Sequence, residues 1–177
     1  AVRTMFGYDQ KNSAHQYDLW IHSLHVVCNL PRKMENDMVY LAALLHDIGK
    51  PESQCRGKRE DDLNMHYYGH PEKSMEIVRD IVIPELDRQR EVIPVFDVQE
   101  LLYYVKYHDD HVSVKLKHVR RHTKMVSFAM FQNLMLLQVA DAKAHIQLPV
   151  IAERVEICER LAGEEGRQLY QRILEGE

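Results

Sequence analysis

One short stretch, Leu41-Ala-Ala-Leu-Leu-His46-Asp47-Ile-Gly-Lys50, indicates both the fold and the chemistry of this chain. Five small or apolar residues lead directly into a His-Asp pair, so we expect the pair at the last turn of a buried helix. An ionised Asp47 is unfavourable there for two reasons: it is desolvated, and it lies at the negative end of the helix dipole. A bound cation would offset both effects. The alternative is a structural hydrogen bond between His46 and Asp47.

A second carboxylate repeats this anomaly. The segment Val139-Ala140-Asp141 ends a long apolar run, which predicts that Asp141 is buried near the C-terminus of another helix. The alternative is that Asp141 pairs with a buried Arg or Lys. Local rules that are broken without visible compensation are typical of functional sites.

Histidines are unusually frequent, with 11 in 177 residues. His22 and His25 lie three positions apart on one predicted helix, so either could reach a common site, and spacing does not decide between them. His108 falls on the apolar stripe of its helix, where an ordinary core histidine also lies. His70 is expected at the N-cap of its helix. His15 and His66 are open between a role near a site and a place on the surface.

Imidazole and carboxylate ligands in this mixture suit Mn, Fe, Ni, Co, Mg or Zn better than a thiolate site would. The residues offered for a first metal are His22, His46, Asp47 and Asp141. His70 and His108 could complete a second site. Two metal ions about 3.5–4 Å apart are a recurring device for phosphoester hydrolysis.

The composition is that of an ordinary folded chain. Charged residues are 28% and hydrophobic residues 45%, which excludes a disordered chain, and the net charge of −4 argues against general binding to nucleic acid or anionic membranes. Three widely spaced cysteines without a CxxC motif, and no signal sequence, predict a cytoplasmic protein. Polar residues interrupt the most apolar stretch, 125–140, so no membrane span is predicted.

The fold class is predicted to be all-α, with residues 1–177 as one helical domain, because convincing strand alternation is missing and Gly and Pro are few. Helices are predicted at about 18–30, 36–48, 71–83, 98–108, 124–144 and 150–174, with the last one broken at Gly163. Gly49 is expected to end its helix at the C′ position, and residues 50–69 are expected to be irregular. Asp97 and Glu100 resemble a capping box. The basic run 115–124 is expected either to guide phosphates or to form a solvated loop face.

The ordered set of histidines and aspartates resembles the HD-domain metal-dependent phosphohydrolase superfamily, whose signature is H…HD…D. The resemblance is closest to the HD domains attached to bacterial tRNA nucleotidyltransferases (CCA-adding enzymes), and it covers about residues 14–145. The stretches that carry it are 15–24, 41–51, 66–72, 107–110 and 137–142.

This resemblance implies a helical bundle with a metal site in its middle, and hydrolysis of a phosphomonoester or phosphodiester supported by one or two divalent ions. The implied metal ligands are His22, His46, Asp47, Asp141, His70 and His108. The expected catalytic residues are Asp47, Lys50 and His70. Lys50 is the substrate contact that the resemblance implies, and His66 is a further expected substrate contact. Lys50 suits a substrate phosphate. The pattern of a nucleotidyltransferase head is missing, so CCA addition itself is not expected.

The resemblance leaves three substrate classes open. They are a nucleotide or another small phosphorylated molecule, a cyclic phosphate, and an RNA end. Two other functions stay open: a catalytically silent module that binds a nucleotide or a protein partner, and an oxygenase with a di-iron centre.

Overall fold

A computed structural model of the chain describes residues 1–59, 61–89 and 91–177. Within these residues the fold is all-α, as predicted, with one minimal antiparallel pairing of two-residue strands. The α-helices are α1 (Leu19–Asn29), α2 (Met38–Leu45), α3 (Lys50–Ser53), α4 (His70–Ile77), α5 (Ile83–Arg88), α6 (Val95–Tyr107), α7 (Leu116–Thr123), α8 (Phe128–Ala144), α9 (Pro149–Ala162) and α10 (Glu164–Leu174). The strands are β1 (Cys55–Arg56) and β2 (Met65–His66), and a 3-10 turn spans Val2–Met5.

Helices α1, α2, α6 and α8 supply most of the hydrophobic core. Helix α8 packs between α1 and α9, and α2 packs against α1 and α6. Apolar side chains such as Leu45, Leu101 and Leu134 are fully or almost fully buried. The ends of these helices meet on one side of the core, where the polar residues of the predicted site also lie.

Helix α1 begins where the sequence predicts, because Asp18 caps it. The Asp18 carboxylate accepts a hydrogen bond of 3.0 Å from the backbone N–H of Ile21. Helix α8 begins later than the predicted residue 124, since Ser127 caps it through the N–H of Met130. The break at Gly163 between α9 and α10 lies where the sequence predicts.

Gly49 does not end a helix in the left-handed conformation, and that prediction was wrong. Its φ is −83° and it directly precedes α3. A Cβ at this position would lie 2.5 Å from the backbone N of Ser74 and 2.9 Å from the carbonyl O of His70. Glycine is therefore required by the close approach of α4, and this approach brings His70 towards Asp47.

The sequence predicts that the helix after His70 ends before Pro84, and this prediction was wrong. Residues Val78–Val82 form a π-helical segment, and the chain continues into α5 with Pro84 in its first turn. The N–H of Ile83 donates to the carbonyl O of Val78, five residues earlier. The wider turn lets the helix pass a proline that has no N–H to donate and would crowd an ordinary α-helical turn. His70 is the first residue of α4, not its N-cap, and Gly69, at φ 75°, precedes it.

The predicted capping box in α6 was also wrong. The helix begins at Val95, so Asp97 lies in its first turn. Glu100 is buried and accepts hydrogen bonds from Asn36, at 2.6 Å, and from the Tyr104 hydroxyl. An acidic residue that matched a capping pattern is thus a buried partner of two polar side chains.

The basic run contains helix α7, not a loop. Val119 and His122 are buried on its inner side. Residues 50–69 contain α3 and the β1–β2 pairing, although they were expected to be irregular. Within the part of the chain that the structure describes, no single helix combines the length and the apolarity needed to cross a membrane. The pair α7 and α8, bent by 115°, passes that test by length and composition alone.

Candidate metal centre

Six polar side chains from five helices converge on one side of the core, and we call them the central cluster. Each is buried, although all six are ionisable or carry polar ring nitrogens. The members are His22 of α1, His46 and Asp47 just after α2, His70 at the start of α4, His108 just after α6, and Asp141 near the end of α8.

Asp141 lies at one end of the central cluster. Its Oδ1 atom lies 3.0 Å from Nε2 of His22 and 3.6 Å from Nε2 of His46. His46 Nε2 is also 3.2 Å from Oδ2 of Asp47. One imidazole thus lies between two carboxylates that are 94 positions apart in the sequence.

Asp47 links the two ends of the cluster. Its Oδ1 atom lies 3.1 Å from Nε2 of His70 and 3.5 Å from Nε2 of His108. Its Oδ2 atom lies 2.7 Å from Nζ of Lys50. The two imidazole nitrogens are themselves 3.2 Å apart. One carboxylate therefore faces two histidines on one oxygen and a lysine on the other.

Backbone carbonyl groups orient three of these rings. Nδ1 of His46 donates to the carbonyl O of Ala43 at 2.8 Å, and Nδ1 of His108 donates to that of Val105 at 2.7 Å. Nδ1 of His70 makes the same contact with an earlier residue, Tyr67, at 2.8 Å. When such a ring is neutral, the proton on Nδ1 leaves the Nε2 lone pair free, and this tautomer binds a metal through Nε2. All three Nε2 atoms face Asp47.

The buried polar atoms of the cluster fit a bound cation. Among the described residues, neither Nε2 of His46 nor Oδ1 of Asp47 has a hydrogen-bond partner, despite the short distances around them. Leaving such atoms unpaired in a protein interior is costly. His22, His46 and Asp141 offer ligand atoms within 4.8 Å of one another, as do His46, Asp47 and His108. The donor set therefore suits one or two divalent ions.

A cavity of about 360 Å³ opens over the central cluster. Asp47, His70, His108 and Asp141 lie in its wall, whereas His22 and His46 lie beneath. Lys50 reaches the same cavity. A substrate that enters from solvent would therefore meet the carboxylates and Lys50 together.

A family model described as the HD domain matches residues 19–145. The chain belongs to the HD domain family. The match includes every residue of the central cluster. Comparisons with curated proteins and with solved structures returned no match. For this HD domain the family therefore supports metal-dependent hydrolysis in general terms.

The charged side chains of the cluster shift one another's pKa values. Burial would lower the pKa of His46, but the negative charges of Asp47 and Asp141 raise it to about 10. Burial would raise the pKa of Asp47, but the charges of His46 and Lys50 hold it well below its usual value. Asp141 behaves in the same way, because His145, His22 and His46 oppose the effect of burial on its pKa. Both carboxylates are thus ionised at neutral pH.

Two other histidines stay neutral at the same pH. Burial lowers the pKa of His22 and of His108, and it outweighs the attraction of the nearby aspartates. A neutral imidazole is the form that binds metals.

His22, not His25, reaches the cluster. The ring of His25 stacks on Tyr17 with centroids 4.2 Å apart. His66 lies at the rim of the cavity, where its Nε2 is 2.7 Å from Oδ2 of Asp62 and its ring stacks on Tyr68. Its role as a substrate contact stays a prediction.

The basic run does not reach the cavity. Buried His122 of α7 bonds to the Tyr103 hydroxyl at 3.0 Å and to Asp110 at 2.9 Å. Arg121 pairs with the same carboxylate. These contacts attach α7 to α6, which is a structural role that neither expectation for this segment included.

Sequence reasoning missed His145. It follows Asp141 by four positions, so it lies on the same face of the helix end, and this spacing was the available signal. Its Nδ1 donates to the carbonyl O of Asp141 at 2.9 Å, which fixes the ring over the cavity. His15 lies beside it, and burial followed by the charge of Lys50 lowers the pKa of His15 to about 2.

Arg154 of α9 was also missed. It lines the cavity and donates to the carbonyl O of His108 at 3.1 Å and to Asp109 at 2.8 Å. Ile151, Arg154 and Cys158 follow helical spacing, so the arginine lies on the inner stripe of α9. A cation on such a stripe was the feature of the sequence that could have indicated Arg154.

Gln10 was missed as well. It accepts a hydrogen bond of 2.9 Å from Lys50, and no feature of the sequence indicates this contact.

Proposed function

We propose that this HD domain is a divalent-metal-dependent phosphohydrolase that acts on a nucleotide, a cyclic phosphate or the phosphoester of an RNA end. The family and the buried His/Asp cluster support metal-dependent hydrolysis. The choice of phosphorylated substrate is a further step, and it depends on the chemistry of the cavity.

The observation that carries the proposal is the arrangement around Asp47. Two imidazole Nε2 atoms lie within 3.5 Å of one carboxylate oxygen, and the Lys50 ammonium lies 2.7 Å from the other. Ligands for a cation and a fixed positive charge thus face the same space. Phosphoryl transfer needs both, because charge accumulates on the phosphoryl oxygens in the transition state.

The side chains divide the work. His22, His46, Asp47 and Asp141 would hold one ion, and His70 and His108, with Asp47 between the two sites, would hold another. Ions bound there supply a water of lowered pKa and a clamp for phosphoryl oxygens.

Lys50 is already oriented by two acceptors, Asp47 and Gln10, so it can meet a phosphate without a change of rotamer. His70 belongs to the central cluster and also lines the cavity. Because Lys50 is buried, its charge is weakly screened and acts strongly on a bound phosphate.

The shape of the cavity supports a substrate larger than phosphate. Its rim carries His66 and Tyr68, whose rings are nearly parallel, with an interplanar angle of 8°, and Tyr68 is largely exposed. Arg154 contributes a second cation to the lining of the same cavity. Aromatic faces next to a phosphate site favour nucleotides or RNA ends, since bases stack on such rings. The resemblance to HD domains of tRNA nucleotidyltransferases favours the same class.

The experiment combines metal analysis with a substrate panel. The purified protein is depleted with chelator and reloaded separately with Mn²⁺, Co²⁺, Ni²⁺, Mg²⁺ or Zn²⁺. Release of phosphate or alcohol is measured for p-nitrophenyl phosphate, bis-p-nitrophenyl phosphate, nucleoside monophosphates, 2′,3′-cyclic nucleotides and an oligonucleotide with a 3′-phosphate. The test variant is Asp141→Asn, and the matched control is Asp61→Asn, because Asp61 is exposed.

We expect turnover of at least one substrate class that depends on metal, is lost in Asp141→Asn and is retained in Asp61→Asn. A protein that binds a nucleotide and metal but hydrolyses none of the panel would be a silent binding module, and the proposal would be wrong. A protein that takes up two irons and consumes oxygen without cleaving a phosphoester would be an oxygenase, which also contradicts the proposal.

A further inference from the structure

A second group of histidines adjoins the central cluster, and we call it the outer cluster. It consists of His15, His22 and His145, each of which offers one ring nitrogen within 4.8 Å of the others. The ring centroids are 4.5 Å apart for His15 and His145 and 5.0 Å apart for His22 and His145. Three imidazoles thus surround one point beside the main centre, and the proposed hydrolysis assigns a role to only one of them.

Hydrogen bonds of the backbone hold the segments that carry His15 and His145 together. The N–H of Ile146 donates to the carbonyl O of Ala14 at 3.1 Å, so the residues next to this bond, His145 and His15, lie side by side. The side chain of Asn12 holds the same segment, because it accepts from the N–H of Ala14 and donates to the carbonyl O of Met65. The N-terminal segment is therefore fixed against the end of α8.

A buried nitrogen without a hydrogen-bond partner supports a ligand site in the outer cluster. Nδ1 of His15 is inaccessible to solvent, and in the described portion of the chain it has no hydrogen-bond partner. A buried polar nitrogen without a partner is unfavourable. A metal ion would supply the missing partner.

The ligand type decides which ions fit. The three side chains are all imidazoles, which suit Zn²⁺, Co²⁺, Ni²⁺ or Cu²⁺, whereas Mg²⁺ prefers oxygen ligands. Zinc sites with three histidines and an open fourth position are well established in proteins. The outer cluster should therefore discriminate between transition metals and Mg²⁺ more strongly than the carboxylate-bearing centre does.

His22 belongs to both clusters, and this sharing has a consequence. A neutral imidazole has a single lone pair on its ring nitrogens, so His22 can bind only one ion at a time. We propose that His15, His22 and His145 form an outer site for a transition-metal ion, which competes with the central site for the imidazole of His22. The proposal concerns metal binding and does not depend on phosphoester hydrolysis.

The test is a metal titration of the chelator-treated protein, residues 1–177. Co²⁺ binding is followed by calorimetry and by its visible d–d absorption, and Mg²⁺ is titrated in parallel. The main variant is His15→Ala. The matched control is His25→Ala, which removes a histidine of α1 that lies outside both clusters.

We expect the weakest class of Co²⁺ sites in the wild type to disappear, or to weaken at least about tenfold, in His15→Ala. The tighter classes should keep their affinity or bind more tightly, since His22 is no longer contested. His25→Ala should bind Co²⁺ as the wild type does. Mg²⁺ should show the same number of sites in all three proteins.

Two results would overturn the proposal. One is an unchanged Co²⁺ isotherm in His15→Ala, and the other is a loss that affects every class of sites equally. Circular dichroism checks the fold of each variant. If His15→Ala does not fold, His145→Gln serves in its place with the same expected loss, and an unchanged isotherm there overturns the proposal equally.

Discussion

The Nζ atom of Lys50 lies 2.7 Å from Oδ2 of Asp47, and both side chains are almost completely buried. The same ammonium lies 2.9 Å from Oε1 of Gln10. Asp47 is also the carboxylate that faces His70 and His108 through its other oxygen. A metal ion bound at Asp47 would therefore share this carboxylate with Lys50. Because the two cations compete for it, replacing Lys50 and replacing Asp47 should affect metal binding differently.

Lys50→Met should retain metal and lose turnover. Removing the ammonium frees Oδ2 of Asp47, so metal affinity should hold or increase, whereas the transition state loses a fixed positive charge. We expect turnover to fall about 10²–10³-fold. Metal content by mass spectrometry and steady-state rates check this. Lys143→Met, which removes an exposed lysine, is the control, and wild-type turnover in Lys50→Met would refute the assigned role.

Asp47→Asn should lose metal, turnover and stability together. Its place after a helix suggests a gain in stability on neutralisation, but a buried Lys50 without a counter-ion costs about 3–5 kcal/mol, and this larger effect decides the sign. The double variant Asp47→Asn/Lys50→Met should regain much of that stability without regaining metal. Denaturant unfolding of both proteins in excess chelator measures the difference. A single variant as stable as the wild type would contradict the prediction.

His108→Ala should remove one bound ion while it leaves the other. Nε2 of His108 faces Asp47 and His70 and shares a possible ligand group with His46 and Asp47 but not with Asp141, so the ion held by Asp141 should be less affected. We expect the stoichiometry of tightly bound Mn²⁺ to decrease from two to one. Equilibrium dialysis measures it, with His118→Ala as control, since His118 lies in the basic run outside the cluster. Loss of both ions would show that the two sites do not fill independently.

Gly49→Ala should destabilise the protein by about 1–3 kcal/mol or more. The new methyl group would lie 2.5 Å from the backbone N of Ser74, and backbone atoms in a helix cannot move aside singly. The shift of α4 would also displace His70 from Asp47, so metal affinity should fall in the same variant. Thermal unfolding and metal titration check both effects. Glu52→Ala, at an exposed position one turn later, should be close to neutral.

Cys158 should resist thiol reagents in the folded protein. Burial raises the pKa of its thiol to about 11. At pH 8 the thiolate fraction would therefore be about one part in a thousand. Brief treatment with iodoacetamide followed by peptide mass spectrometry should label exposed Cys28 and spare Cys158, and both should react in denaturant. Rapid labelling of Cys158 in the native state would contradict its burial.

Three members of the central cluster were accessible from the sequence because each breaks a local rule. Asp47 and Asp141 place charge in apolar helices, and His108 lies on an apolar stripe, so each anomaly is visible without the fold. The choice between His22 and His25 was not accessible, because residues three apart share a helix face and only the packing of α1 against α8 separates them.

Contacts between distant segments explain the remaining differences. Glu100 matches a capping pattern, but its partners Asn36 and Tyr104 are decided by the packing of α6. The passage of the chain past Pro84 depends on a π-helical turn, which residue propensities do not indicate. Gly49 is explained by the approach of α4, not by its own turn.

The bond between Ile146 and Ala14 has a practical consequence for dissecting this protein. The stretch that matches the family, residues 19–145, contains every member of the central cluster, but it excludes Gln10, His15 and Arg154. A polypeptide trimmed to the matched stretch would keep the ligands of the centre. It would lose Gln10, the acceptor that helps to orient Lys50, and the parts of the cavity lining that His15 and Arg154 supply. The residues that build the cavity therefore extend beyond both ends of the stretch that matches the family.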